Sequence, residues 1–68
     1  MFMIIQDEML RAAIARTLQI EETDITEKKL EELMTLSARS SGIISLEGLQ
    51  YAVNLKYLDL CGNAIEDL

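Results

Sequence analysis

The sequence predicts an α/β fold: a repeat solenoid that opens with a two-helix N-terminal cap and continues as short parallel strands. Three observations carry this expectation. Two segments before residue 35 place apolar residues three to four apart, the spacing of one helical face. Beyond them the helical period stops. Apolar residues then recur with a 22-residue period, the mark of a stacked repeat.

The chain opens on Met1-Phe2-Met3-Ile4-Ile5, an apolar run closed by Gln6-Asp7-Glu8. It is too short for the apolar core of a signal peptide and has no basic region before it. The first helix is expected over Asp7–Leu18. Leu10, Ala13, Ile14 and Leu18 form its stripe, and Arg11 and Arg16 lie outside it. Asp7 suits the N-cap, and Glu8 suits the positive end of the helix dipole. Gln19–Asp24 reads as a polar connector. Thr26 then caps a second helix through Glu27–Met34, with Ile25 and Leu30 in the two places of a hydrophobic staple and Leu30, Leu33 and Met34 as its buried stripe. Helices this short need tertiary packing to persist.

The stretch Leu55-Lys-Tyr-Leu58-Asp-Leu60-Cys-Gly-Asn63-Ala-Ile65 matches the leucine-rich-repeat pattern L-x-x-L-x-L-x-x-N-x-L, with Ile in the last place. One 22-residue step back leads to Leu33, Leu36, Ala38, Ser41 and Ile43, and the same step takes Leu68 to Leu46. The earlier copy is worn, with Ala38 for Leu and Ser41 for Asn. Each copy supplies one strand of a parallel sheet, about Thr35–Arg39 and Tyr57–Cys61. Leu58 and Leu60 turn inward, while Leu55, Ile65 and Leu68 fill the rest of the turn. Asn63 is placed to bond backbone groups that lack a ladder partner. Gly42, Ile43, Leu46, Gly48, Leu49 and Asn54 form a tight convex return, and Gly42 and Gly48 suit unusual dihedrals. The organisation expected is thus a helical cap over residues 1–34 and first repeats over 35–68, one degenerate and one regular and truncated.

Composition narrows the function. The chain has 68 residues, half of them hydrophobic, but its only aromatics are Phe2, Tyr51 and Tyr57, so the core is aliphatic. The formal net charge is −6. The acids are spread over both halves, so no basic patch exists for nucleic acid or an anionic membrane surface. No segment has the length of a membrane span. Cys61 is the single cysteine and there is no histidine, which excludes an intrachain disulfide and a Cys/His zinc site. No cofactor is expected.

The motifs also carry a specific resemblance. Ile25-Thr26-Glu-Lys-Lys-Leu30-Glu-Glu-Leu33-Met-Thr-Leu36 resembles the junction between cap and repeats in the bacterial internalin-type leucine-rich-repeat proteins. Gly42-Ile43-Ile-Ser-Leu46-Glu-Gly48-Leu49-Gln-Tyr51 resembles their first convex return, and Asn54–Asn63 their first regular repeat. The resemblance covers about residues 7–68. It implies a non-enzymatic protein–protein interaction module that binds protein ligands on the concave sheet face. On that face this chain places Thr35, Ser37 and Arg39 from the first strand, and Tyr57, Asp59 and Cys61 from the second. The family adds further repeats and an export signal, so the chain is expected to be an N-terminal capping fragment, a truncated product or an engineered cap. Export would put it at the cell surface or outside the cell; a native start at Met1 would put it in the cytoplasm.

Among the residues on this face Tyr57 is the best anchor, a rigid aromatic with a hydroxyl, although a solvated strand residue would look the same. Arg39 and Asp59 lie on neighbouring strands at different levels, so a pair between them is expected to be weak and exposed. Cys61 has no histidine to activate it and reads as an inert thiol. Glu21, Glu22 and Asp24 lack the spacing and glycine of a calcium loop. The pairs Glu31–Glu32 and Glu66–Asp67 read as exposed, without the cleft that paired carboxylates need for catalysis. Ser40-Ser41-Gly42 is not a phosphate loop. Met1, Met3, Met9 and Met34 read as core or terminal packing. The competing expectation is a structural element that self-associates, as a homo-oligomer through the open edge of the last strand and its leucines.

Overall fold

The computed structural model describes residues 3–66. Met1, Phe2, Asp67 and Leu68 lie outside them, and with them the packing expected of Met1, the pairing of Leu68 with Leu46 and half of the Glu66–Asp67 pair.

Helix α1 spans Glu8–Leu18, with Asp7 as N-cap accepting from the N–H groups of Met9 and Leu10. It ends where Gln19 turns left-handed, at φ 60°. Leu10, Ala13 and Ile14 are buried as the stripe predicts, joined by Ala15, while Leu18 is half-buried. The connector forms a 3-10 turn over Glu22–Asp24. Helix α2 spans Glu27–Leu30, capped by the Thr26 hydroxyl on the N–H of Lys29, with both staple residues buried.

The second helix is shorter than its sequence suggests. Glu32 and Leu33 donate to carbonyls three residues back, which tightens and ends the helix. The Met34 carbonyl instead accepts from Lys56 and Tyr57 of the following turn. Leu33 stays buried, but Met34 has left the helical face and is 54% exposed. Met9, off the α1 stripe, is exposed too, so neither methionine packs in the core.

Strand β1 (Thr35–Ser37) pairs in parallel with β2 (Tyr57–Asp59), in the register Thr35 to Tyr57, Leu36 to Leu58 and Ser37 to Asp59. Each pair is one 22-residue step. The strands are shorter than expected, yet bonds between turns continue past them: Ala38 N–H to Asp59 O at 2.9 Å, and Ser40 N–H to Cys61 O at 2.8 Å. On the return side Ala64 N–H reaches Ile43 O and Glu66 N–H reaches Ile44 O. The two turns are therefore stacked around most of their circumference.

One apolar cluster joins all these parts. Leu10, Ile14, Leu30, Leu33, Leu36 and Ile43 are fully buried in it, and Ile5 of the opening segment lies among them. No polar or charged side chain is buried with them among the described residues. Leu36 is 0% exposed, whereas its counterpart Leu58 is 41% exposed. β2 has β1 on one side only among the described residues, so its leucine is covered from one side.

Candidate interaction face

The pleat of the two strands decides which side chains leave the core. Leu36 points inward, so Thr35 and Ser37 on either side of it point out and are exposed. The parallel register puts Tyr57 beside Thr35 and Asp59 beside Ser37. Arg39 and Cys61 follow just beyond the strands, tied by the bond between Ser40 and Cys61. Thr35, Ser37, Tyr57 and Asp59 thus lie side by side, and Arg39 reaches them through Asp59.

Asp59 is its organising group. One carboxylate oxygen accepts the Cys61 backbone N–H at 3.1 Å. The other lies 3.1 Å from Arg39 Nε and accepts the Tyr57 hydroxyl at 3.5 Å. The Cys61 N–H and thiol lower the Asp59 carboxyl below its ordinary value; burial opposes them, and Arg39 and Tyr57 add smaller lowering effects. The ion pair is closer than two different levels suggest, because the long arginine side chain reaches diagonally across the strands. Its exposure is uneven: the Arg39 side chain is 66% exposed and that of Asp59 only 15%. Tyr57 is 55% exposed.

The face gathers groups of several kinds. It has a carboxylate contacted on both oxygens by its neighbours, an exposed guanidinium, an aromatic ring, the hydroxyls of Thr35, Ser37 and Tyr57, and a free, exposed thiol at Cys61. No group of three or more metal-binding side chains occurs among the described residues. The acids of the connector divide: Glu22 pairs with Arg11 at 3.0 Å, while Glu21 and Asp24 are exposed. A hollow of about 180 Å³ lies between the opening segment and the convex return, lined by Ile4, Gln6, Glu27, Glu47, Gly48, Gln50 and Tyr51. It is smaller than sites that enclose small ligands, which run from about 300 Å³ upward. No described helix is long and apolar enough to cross a membrane.

Three contacts are not foreseen by the sequence. Arg11 also donates to the Ile5 carbonyl at 3.1 Å, which anchors the opening segment. The second oxygen of Asp7 accepts from Ile44 and Ser45. Asn54 donates to the Glu31 carbonyl at the end of α2. Each ties together separate parts of the chain, and only a lone polar residue beside an apolar run hints at any of them.

No family model and no curated protein matches the chain. Solved structures do. The chain is similar to an internalin (inlF) from Listeria monocytogenes, with a TM-score of 0.86 and 36% identity over 96% of this chain and 20% of that one. It is also similar to an internalin C2 (inlC2) from the same bacterium, with a TM-score of 0.87 and 37% identity over 96% of this chain and 30% of that one. The chain therefore spans less than a third of the length of either relative.

Proposed function

We propose, from the premise that the chain is an internalin-type leucine-rich-repeat protein, that it is a non-enzymatic module for protein recognition. Residues 1–34 serve as a cap, covering the apolar end of the repeat stack, and residues 35–68 begin the recognition surface. The observation that carries this reading is the face itself. An apolar core with no buried polar side chain among the described residues supports a strand surface on which Tyr57 and Arg39 are exposed and both lie against one carboxylate. Rigid aromatic and arginine side chains of this kind are the ones that anchor protein interfaces.

The test is to select binders from a random peptide-display library on the immobilised chain and map them by NMR on the isotope-labelled protein. Binders should perturb the amides of Thr35–Ser37 and Tyr57–Asp59, and Tyr57→Ala should weaken them roughly tenfold, as loss of an interface anchor does. Binders that map to the convex return instead would refute the reading.

A second reading has its own observation. Leu58 is exposed, and the outer side of β2 has no strand partner among the described residues. An open edge with an apolar residue favours self-association. Light scattering decides it: an oligomer that Leu58→Lys converts to monomer supports this reading, and a monomer at high concentration excludes it.

A further inference from the structure

The proposed recognition face carries more information than its location, because its two charges are not equivalent. Asp59 commits both oxygens inside the protein, to the Cys61 N–H, Arg39 Nε and the Tyr57 hydroxyl, and its side chain is only 15% exposed. A basic group arriving from a partner would have to compete with these contacts at a carboxylate that is mostly covered. Arg39 is the reverse case. Its Nε lies 3.1 Å from Asp59 as an ion pair, its side chain is 66% exposed, and its two terminal nitrogens have no hydrogen-bond partner among the described residues. The end-on pair of N–H groups of a guanidinium forms a planar fork, the geometry that meets a carboxylate with two parallel bonds. Beside it the Tyr57 ring, held through its hydroxyl to the same carboxylate, offers an apolar surface more than half exposed.

We infer that this face binds a segment of a partner protein that presents an Asp or Glu carboxylate beside an apolar side chain, with the carboxylate on the terminal nitrogens of Arg39 and the apolar group on the ring of Tyr57. The inference rests on the concave-face reading above and assigns the chemistry of its partner. Asp59 acts through Arg39 as a positioning residue. The net charge of −6 repels an acidic partner at a distance. At physiological ionic strength that field fades over about 8 Å, so the local pairing decides the contact.

The experiment uses three capped peptides of one length and sequence, differing only in a central Asp-Phe, Asn-Phe or Lys-Phe pair, titrated into the isotope-labelled chain. The Asp peptide is expected to shift the amides of residues 35–39 and 57–61 saturably. The Asn peptide should bind roughly tenfold more weakly, the loss expected when a charged hydrogen bond becomes neutral. The Lys peptide should leave these amides unmoved. Arg39→Gln should reduce the Asp peptide to the Asn level while its own unbound spectrum stays folded, since Arg39 is exposed. Asp59→Asn should weaken the Asp peptide several-fold by freeing the guanidinium. Equal binding of the Asp and Lys peptides, full affinity in Arg39→Gln, or no shift with any of the three overturns the inference. Such results leave the broader reading to the display selection: binders that map to this face without needing a carboxylate refute the acidic partner alone.

Discussion

Asp7 uses its two carboxylate oxygens on two different parts of the chain. Oδ1 accepts from Met9 and Leu10 and caps α1; Oδ2 accepts from Ile44 at 2.8 Å and from Ser45 at 3.1 Å on the convex return. Burial pushes this carboxyl up, but the N–H groups of Ile44, Leu10, Ser45 and Met9 together outweigh it and leave it below its ordinary value of 3.8. A carboxyl whose folded value is depressed contributes stability that is complete above the unfolded value, and lost as pH falls through the folded one. Melting temperature should therefore fall below about pH 4. Asp7→Asn separates the two roles: the amide oxygen can still cap α1, but its NH2 must face the donors of Ile44 and Ser45. It should cost about 1–2 kcal/mol at neutral pH and flatten the acid dependence, both readable from thermal melts. Asn63 is the second such junction. Its oxygen accepts from Ser41 and Ile43 and its nitrogen donates to Ala38 and Leu60, all within 3.0 Å. Asn63→Ala strands four backbone groups at once and should cost about 2–4 kcal/mol in chemical denaturation.

At the scale of elements, the 22-residue step is the most legible feature, because stacking forces every turn to repeat the same inward positions. It places both strands, their register and the pairing of Leu36 with Leu58. The end of α2 is not legible. Met34 continues the helical spacing, but its carbonyl is claimed by Lys56 and Tyr57, and Asn54 takes the Glu31 carbonyl, all from the approach to the second strand. Spacing puts Arg39 and Asp59 at different levels but does not give the reach of a side chain, which brings Arg39 Nε within 3.1 Å of the carboxylate in a pair that stays exposed on the arginine side. Gly42 and Gly48 look alike in the sequence and share left-handed φ values of 75° and 98°, yet the structure separates them. A Cβ at Gly42 meets nothing within 4 Å, whereas one at Gly48 collides with the Ile4 carbonyl oxygen. Gly42→Ala should cost only the left-handed strain, about 1–2 kcal/mol. Gly48→Ala should cost more, because the opening segment must also move. Equal losses in denaturant unfolding would show that Ile4 does not press on the return.

The whole molecule has a radius of gyration of 10.7 Å, close to the roughly 11 Å expected of a closed domain of its length. Two stacked turns with a helical cap therefore fold around one core and not as two loosely joined pieces. The opening segment is part of that core. Ile5 is 1% exposed, its carbonyl is held by Arg11, and Ile4 lies against Gly48. One core makes a definite claim about cooperativity, and the residues provide separate reporters for it. The α-helices lie wholly before residue 35, so far-ultraviolet circular dichroism reads mainly the cap. Tyr51 and Tyr57 are the only tyrosines and both lie in the repeats, so tyrosine fluorescence reads the other half. The two signals should be lost at one midpoint in denaturant. Ile5→Ala leaves a cavity under both halves and should cost about 2–4 kcal/mol, enough to unfold a large share of a domain this small. Its effect should appear equally in both signals, although residue 5 belongs to neither helix nor repeat. If helicity were lost first while the tyrosines kept their folded environment, the cap and the repeats would be separate units, and the apolar cluster that joins them would be too weak to couple them.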